Sequence, residues 1–381
     1  MKLPSLRIRN IEVPHPIIQG GMGIGLSSYT LAGAVAREGG IGVLSSAALD
    51  RQVSERHGKR FGPRKAAAQD VIDAKQIAGG RGAIGMNIMV AVVNQYKASV
   101  LGAMDGGVDV IISGAGLPMQ LPEIALSHPR HDEVALVPIV SSGRAMEVIC
   151  RRWQRSGRLP DAVVVEGPKA GGHIGWKSAE EAMRPENQLE NLIVDVLEVV
   201  KKYGNFPVIA AGGIYYHEDI WKFIRMGCAG VQMGTRFLAT HESGASEAYK
   251  RALVECREED ILLAERPGSP CGMPFHVIKT SPFYEEAVAQ TRPPKCDKGY
   301  LLKEDHCPSK TDNVETFCIC NGLLASIRLN NPDEKELYTV GANAGRIERI
   351  MSVHELMQEL VGEQDHAQVK KAYLAVPTAS L

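Results

Sequence analysis

Eight short apolar runs, helical patterns between most of them, and glycine at run after run's C-terminal exit predict an α/β fold. The specific expectation is a TIM (β/α)8 barrel with a cysteine-containing cap or insertion after the last strand. The runs are HPIIQGG (15–21), GIGVLSS (40–46), AIGMNIMV (83–90), VDVIISGAG (108–116), ALVPIVSS (135–142), DAVVVEG (161–167), FPVIAAGG (206–213) and AGVQMGTRF (229–237). Each is nearly continuous in apolar residues, as a strand buried on both faces should be. Helical patterns lie between them: SYTLAGAVAREGG (28–40), RKAAAQDVIDAKQIAGG (64–80), NLIVDVLEVVKKYG (191–204) and EDIWKFIRMGC (218–228). Several end in glycine, the usual helix stop. A doubly wound open sheet is the rival, but it does not ordinarily need eight strands with glycine-rich exits throughout.

After residue 240 the pattern changes. Residues 241–335 hold many prolines, most of the cysteines and only short helical stretches, and are expected to form the cap. The segment 336–381 is expected to pack back on the barrel through MSVHELMQELV (351–361), where Ser352 and Glu355 make a capping box and Leu356, Leu360 and Val361 share one face. That tail reads as structural.

Composition limits the function classes. The 381 residues are 44% hydrophobic and 23% charged, with 43 basic and 44 acidic side chains and a net charge of −1. No basic stripe stands out, so nucleic acid is not an expected partner. No run approaches the roughly 20 apolar residues of a membrane span, and the N-terminus lacks the apolar stretch of a signal peptide. A cytoplasmic protein is expected, with two scattered buried thiols, Cys150 and Cys228, in the first 250 residues. Many barrels pair, so a homodimer is an admissible assembly.

In a TIM barrel the chemistry sits at the C-terminal ends of the strands. Those exits carry Gly20 to Gly23, Asn87, Ser113 and Gly114, Ser141 to Gly143, Glu166 to His173, Gly212 and Gly213, and Gly234 and Thr235. They are rich in glycine and poor in charge. Hydrolases that work with metals or paired carboxylates need Asp, Glu or His at several exits. This rim suits a large flat ligand held by backbone groups, so the redox or bond-making chemistry is expected to come from a cofactor. The exits AAGGI (210–214) and QMGTRF (232–237) follow strands seven and eight, where many barrels hold a phosphate. A phosphate there, with glycines at the first and sixth exits, points to FMN lying across the mouth and His173 on the substrate side. These grounds leave nucleotide-sugar and simple phosphate-ester binding open.

Other residues invite a structural reading. His217, Glu218 and Asp219 are expected to cap the helix that follows them. Trp176 lines the pocket or packs the core. Ser113 and Ser142 stand where they could touch a flavin or substrate, though neither has the neighbours of a nucleophile. Cys296, Cys307, Cys318 and Cys320 are separated by ten, ten and one residues, without the C-x2-C pair usual in zinc ribbons and ferredoxin clusters. Unligated thiols in a compact lid, Cys271 included, are the expectation, with no metal, although His306 stands beside Cys307.

In this order, PIIQGGMG, GMNIMV, EGPKAGGHIG, VIAAGGI and VQMGTRF resemble the motifs of the nitronate monooxygenase (2-nitropropane dioxygenase) family of FMN-dependent TIM barrels. That family also includes the FMN-containing enoyl-ACP reductase of the second type and related NAD(P)H:quinone reductases. The resemblance covers about residues 10–245 and returns near VGANAGRIERIMSVHELMQELV. It implies that residues 1–240 form an FMN-binding barrel. It places FMN contacts at Gly21, Met22, Asn87, Glu166, Gly171, Gly213, Gln232, Gly234 and Thr235, with Asn87 bonding the cofactor and Gly213, Gly234 and Thr235 holding its phosphate. Glu166 departs from some monooxygenases, which place Gln there. His173 matches the family's motif histidine and is the implied catalytic residue. Two activities are implied. One is oxidation of an alkyl nitronate by O2 to a carbonyl compound and nitrite, with His173 positioning the anion or acting as base. The alternative is NAD(P)H-dependent reduction of an enoyl thioester or quinone.

Overall fold

The eight apolar runs close on themselves. The structure, a computed structural model, describes residues 2–269, 273–292, 319–329 and 332–363. Within them, eight parallel strands form a closed barrel: β1 Ile17–Gln19, β2 Ile41–Ser45, β3 Ala83–Met89, β4 Val110–Gly114, β5 Ala135–Val140, β6 Val163–Glu166, β7 Val208–Ala211 and β8 Gly230–Met233. The order is sequential, and β8 returns to β1 through Val231 opposite Ile17 and Met233 opposite Gln19. This is the TIM barrel expected from the sequence. Each proposed run contains one strand.

The strands alternate between two apolar environments, as a period of two requires. Ile18, Ile41, Val43, Val110, Ile112, Val137, Val164 and Ile209 fill the barrel interior. Leu6, Ile8 and Val13, from the hairpin Leu6–Ile8 and Ile11–Val13, join that same cluster. The opposite faces pack against the surrounding helices, among them Tyr29–Arg37, Pro63–Ala78, Gly143–Arg155 and Leu189–Lys202. Pro63 opens its helix, where a missing N–H costs nothing, and Gly79 closes it at φ 62°.

The C-terminal helix Val353–Leu360 docks as its pattern implies. Ser352 and Glu355 form the capping box, and Leu356 and Leu360 are fully buried. A buried ion pair ties this helix to the barrel. Arg236 Nη2 lies 2.9 Å from Glu359 Oε1, and Nη1 donates to the Tyr215 carbonyl at 3.1 Å. Both side chains are less than a tenth exposed, so removing one strands the other charge. Arg236→Met should therefore lower stability by about 3–5 kcal/mol, whereas Arg236→Met with Glu359→Leu should recover most of it. Denaturant midpoints of the three proteins check this.

Cys150, Cys228, Cys256 and Cys320 are buried. Burial pushes the Cys150 and Cys228 thiols up to about 12, which makes them inert. Cys271, Cys296, Cys307 and Cys318, with His306, lie outside the described residues. No helix among the described residues is long and apolar enough to cross a membrane.

Candidate active site

One step beyond the apolar interior, the same strand parity brings a different set of residues inward. Continuing from Val43, Ala83 and Gly85, Ile112, Val137, Val164 and Ile18 along each strand gives Ser45, Asn87, Gly114, Ile139, Glu166 and Gly20, with Gln232 on β8. The apolar filling ends at this ring, which faces the mouth. Glu166 stands opposite Ala211, and Ala211 opposite Gln232, so a small residue separates two long polar ones.

These polar groups are buried without full partners. Asn87 Nδ2 donates to the Gly21 carbonyl at 3.1 Å, while Asn87 Oδ1 and Gln232 Oε1 are buried and bonded to nothing in the protein. Leaving a buried polar atom unpaired costs about 1–3 kcal/mol. Glu166 is half-buried, and desolvation alone pushes its carboxyl up to about 7. The ring therefore calls for a flat ligand with hydrogen-bonding groups along its edge.

The floor beside it is kept open by glycine. A Cβ on Gly21 would stand 2.3 Å from Asn87 Cβ and 3.1 Å from the Leu44 carbonyl oxygen. A side-chain network fixes this loop. Gln19, completely buried, accepts from the Val43 N–H at 3.1 Å and donates to Ser27 Oγ at 2.8 Å and to the Gly20 carbonyl. Ser27 Oγ in turn accepts from the Met22 N–H at 2.9 Å and donates to the Gly20 carbonyl at 3.1 Å. Met22 then rests near Gly234. Sequence reasoning missed Gln19 and Ser27. A buried Gln at a strand's last position was the available signal.

At the exits of β7 and β8, Gly212 and Gly213 adopt φ of 99° and 78°, which L side chains rarely tolerate. Asn343 Nδ2 donates to the Gly213 carbonyl at 2.7 Å, and the Gly341 N–H donates to Thr235 Oγ1 at 2.9 Å. Thr235 Oγ1 thereby keeps its own proton for an acceptor beyond. Gly234 precedes the short helix Thr235–Leu238.

His173 occupies a two-residue strand, Gly172–His173, which pairs antiparallel with Phe275–Ile278, itself paired to Ile261–Ala264. Its half-buried ring lies 5.2 Å from that of Phe275. Gly172 has φ 72°, and Gly171 packs against Val340 and Gly341. The loop's glycines thus answer to a left-handed turn and a close backbone neighbour.

Several residues fall elsewhere. Ser113 is fully buried on the outer face of β4, donating to the Ile88 carbonyl at 2.8 Å and bonded to Tyr96 Oη at 2.9 Å, so it does not reach the mouth. Ser142 caps the helix Gly143–Arg155 through the Ala145 N–H. Asp219 caps as expected, accepting from the Tyr215 and Tyr216 N–H groups at 2.9 Å. Trp176 is buried and packs in the main apolar core.

The ring makes one pH effect visible. An acid whose pKa is raised from 4.5 to about 7 holds its proton longer when folded, so stability falls as pH rises between those values. At about 1.4 kcal/mol per unit the loss reaches roughly 3 kcal/mol. In ligand-free protein, Glu166→Gln should therefore raise Tm by a few degrees at pH 8 relative to its effect at pH 5. An equal difference at both pH values would contradict this.

The family model described as Nitronate monooxygenase matches residues 5–363. The chain belongs to this family. It is an oxidoreductase. Among its relatives, a probable nitronate monooxygenase of Staphylococcus aureus (strain MSSA476) is 26% identical over 288 residues, covering 67% of this chain and 73% of that one. The corresponding protein of strain Newman is 27% identical over 279 residues, with the same coverage. Among solved structures, FabK from Thermotoga maritima is 25% identical, with a TM-score of 0.65 over 96% of each chain. Nitroalkane oxidase from Streptomyces ansochromogenes has a TM-score of 0.65 at 22% identity, covering 95% of this chain and 98% of that one, a likeness of fold alone.

Proposed function

We propose that this member of the nitronate monooxygenase family is an FMN-dependent enzyme that oxidises alkyl nitronates with O2 to a carbonyl compound and nitrite. The observation that supports it most is the pair of buried, partnerless amide oxygens of Asn87 and Gln232 beside the glycine floor at Gly21. FMN offers a flat ring with an edge N–H, and ribityl hydroxyls beside it, as donors to these oxygens. When bound, FMN would supply the electron transfer from the nitronate and the reaction with oxygen.

The chain's own residues have separate tasks in this reading. Gly21 and Met22 pass beneath the ring, Asn87, Glu166 and Gln232 meet its edge, and Gly171 lets the histidine loop approach it. Gly213, Gly234 and the Thr235 hydroxyl hold the phosphate. His173 orients the nitronate anion or holds a proton at its imidazole. The apolar ring of Phe275 beside it limits access of water. Residues 1–240 are then the FMN-binding barrel, the described part of 241–335 belongs to the cap, and 336–363 is the described part of the 336–381 segment that packs back on it.

A second reading, an NAD(P)H-dependent FMN enoyl-ACP or quinone reductase, is favoured by the AGGHIG form of the histidine loop. Reconstitution with FMN, followed by measurement of nitrite release and O2 uptake with an alkyl nitronate, tests the first reading. Protein that stays colourless after reconstitution would remove both. Yellow protein that releases no nitrite would leave the reductase.

A further inference from the structure

The loop that carries His173 is held by a second histidine, about a hundred residues away in sequence. In the antiparallel pairing of Gly172–His173 with Phe275–Ile278, Phe275 stands opposite His173 and His276 opposite Gly172. The His276 ring turns under the loop, and its Nδ1 lies 2.8 Å from the Ala170 carbonyl oxygen. A carbonyl oxygen only accepts, so Nδ1 carries the proton. His276 is 6% exposed and Ala170 9% exposed. Burial holds the pKa of His276 below the ordinary value, which favours the neutral ring.

The backbone continues the hold. The His276 carbonyl accepts from the Val340 N–H at 3.1 Å, and the Val340 carbonyl accepts from the Gly172 N–H at 3.3 Å. The Ile174 N–H donates to the Pro274 carbonyl at 3.1 Å. Between Ala170 and Ile174 lie Gly171 and Gly172, the two residues with the greatest backbone freedom. A histidine reached through two glycines is poorly fixed by its own chain. A misplacement of about 1 Å at a reacting group can cost roughly a hundredfold in rate.

We propose that His276 is a positioning residue for His173, acting through the hydrogen bond from its Nδ1 to the Ala170 carbonyl. The bond fixes the loop just before the two glycines, and strand pairing fixes it from the second of them, Gly172, onward. His276 acts through the loop and not on the reacting atoms. The inference rests on His173 as the substrate-facing group, and the test separates failure of that reading from failure of this one.

Two substitutions divide the hydrogen bond from the volume. His276→Phe keeps a ring and loses the donor. His276→Asn loses volume but places an amide N–H near the position of Nδ1. In FMN-loaded protein, His276→Phe should lower kcat by about 10–100-fold with KM changed far less, and His276→Asn should return kcat to within about threefold of the parent. Tm should not follow that order, because the smaller Asn side chain leaves a cavity. In flavin-free protein, amide hydrogen exchange at Gly172 and Ile174 should quicken by at least about tenfold in His276→Phe and stay near the parent rate in His276→Asn. Equal loss of kcat in both variants would overturn the proposal, as would unchanged exchange in His276→Phe. If the parent shows no turnover, the exchange rates alone decide.

Discussion

His173→Ala is expected to keep its FMN and lose turnover by about 10²–10⁴-fold, the range over which a positioned acid–base group contributes. The expectation follows from where the side chain stands. His173 is half-buried on a strand paired to Phe275–Ile278, in the loop leaving β6, whose last residue is Glu166. The groups proposed to hold the flavin belong mostly to other elements, namely β3, β8, the loop after β1 and the exits of β7 and β8. Removing the imidazole should therefore spare the cofactor. Absorbance of bound flavin per protein and kcat with an alkyl nitronate check the two halves together. His173→Asn refines the result, because an amide can bond an anion but cannot exchange a proton. If Asn restores turnover, His173 positions the nitronate. If it does not, the proton matters. Unchanged turnover in His173→Ala would remove the residue from the chemistry.

Gly21→Ala should weaken FMN binding severely while the barrel still folds. The added Cβ would lie 2.3 Å from Asn87 Cβ and 3.1 Å from the Leu44 carbonyl, and neither can swing away as a flexible side-chain end could. The loop must move, with the Gln19 and Ser27 hydrogen bonds that hold it and the Asn87 amide bonded to Gly21. Overpacking of this kind costs about 1–3 kcal/mol in stability. A loss of at least about a hundredfold in FMN affinity is expected, since floor and edge contacts shift together. Gly23→Ala is the control: its Cβ would meet Ser45 Oγ at 3.4 Å, an ordinary contact. Fluorescence titration of the three flavin-free proteins measures the effect, and parent-like affinity in Gly21→Ala would place the ring elsewhere.

The barrel was legible because a strand buried on both faces must be apolar throughout, and eight such runs are hard to mistake. Strand exits were legible for the same reason, since each ends in residues of another kind. What a count of exits could not give was direction. Ser113 sits at the end of β4, but its parity turns it outward to Tyr96. Alternation from Ile112 and Gly114 would have shown this. The pairing of Gly172–His173 with Phe275–Ile278 was not legible at all. It joins segments about a hundred residues apart, and a two-residue strand leaves no periodicity to read. His276 escaped notice with it, because a lone histidine in FHVI resembles any core position until the Ala170 carbonyl is placed beside it. The capping box at Ser352 was the opposite case. Its signal is local, and the helix begins where the residues say.

Anaerobic stopped-flow of the FMN-loaded protein, mixed separately with propyl-2-nitronate and with NADH or NADPH, tests the proposed activity most directly. Rapid bleaching of the flavin by the nitronate, with none by either nicotinamide, is the expected result. Bleaching by a nicotinamide and indifference to the nitronate would contradict it and make the protein a reductase, with enoyl thioesters and quinones as the acceptors to try.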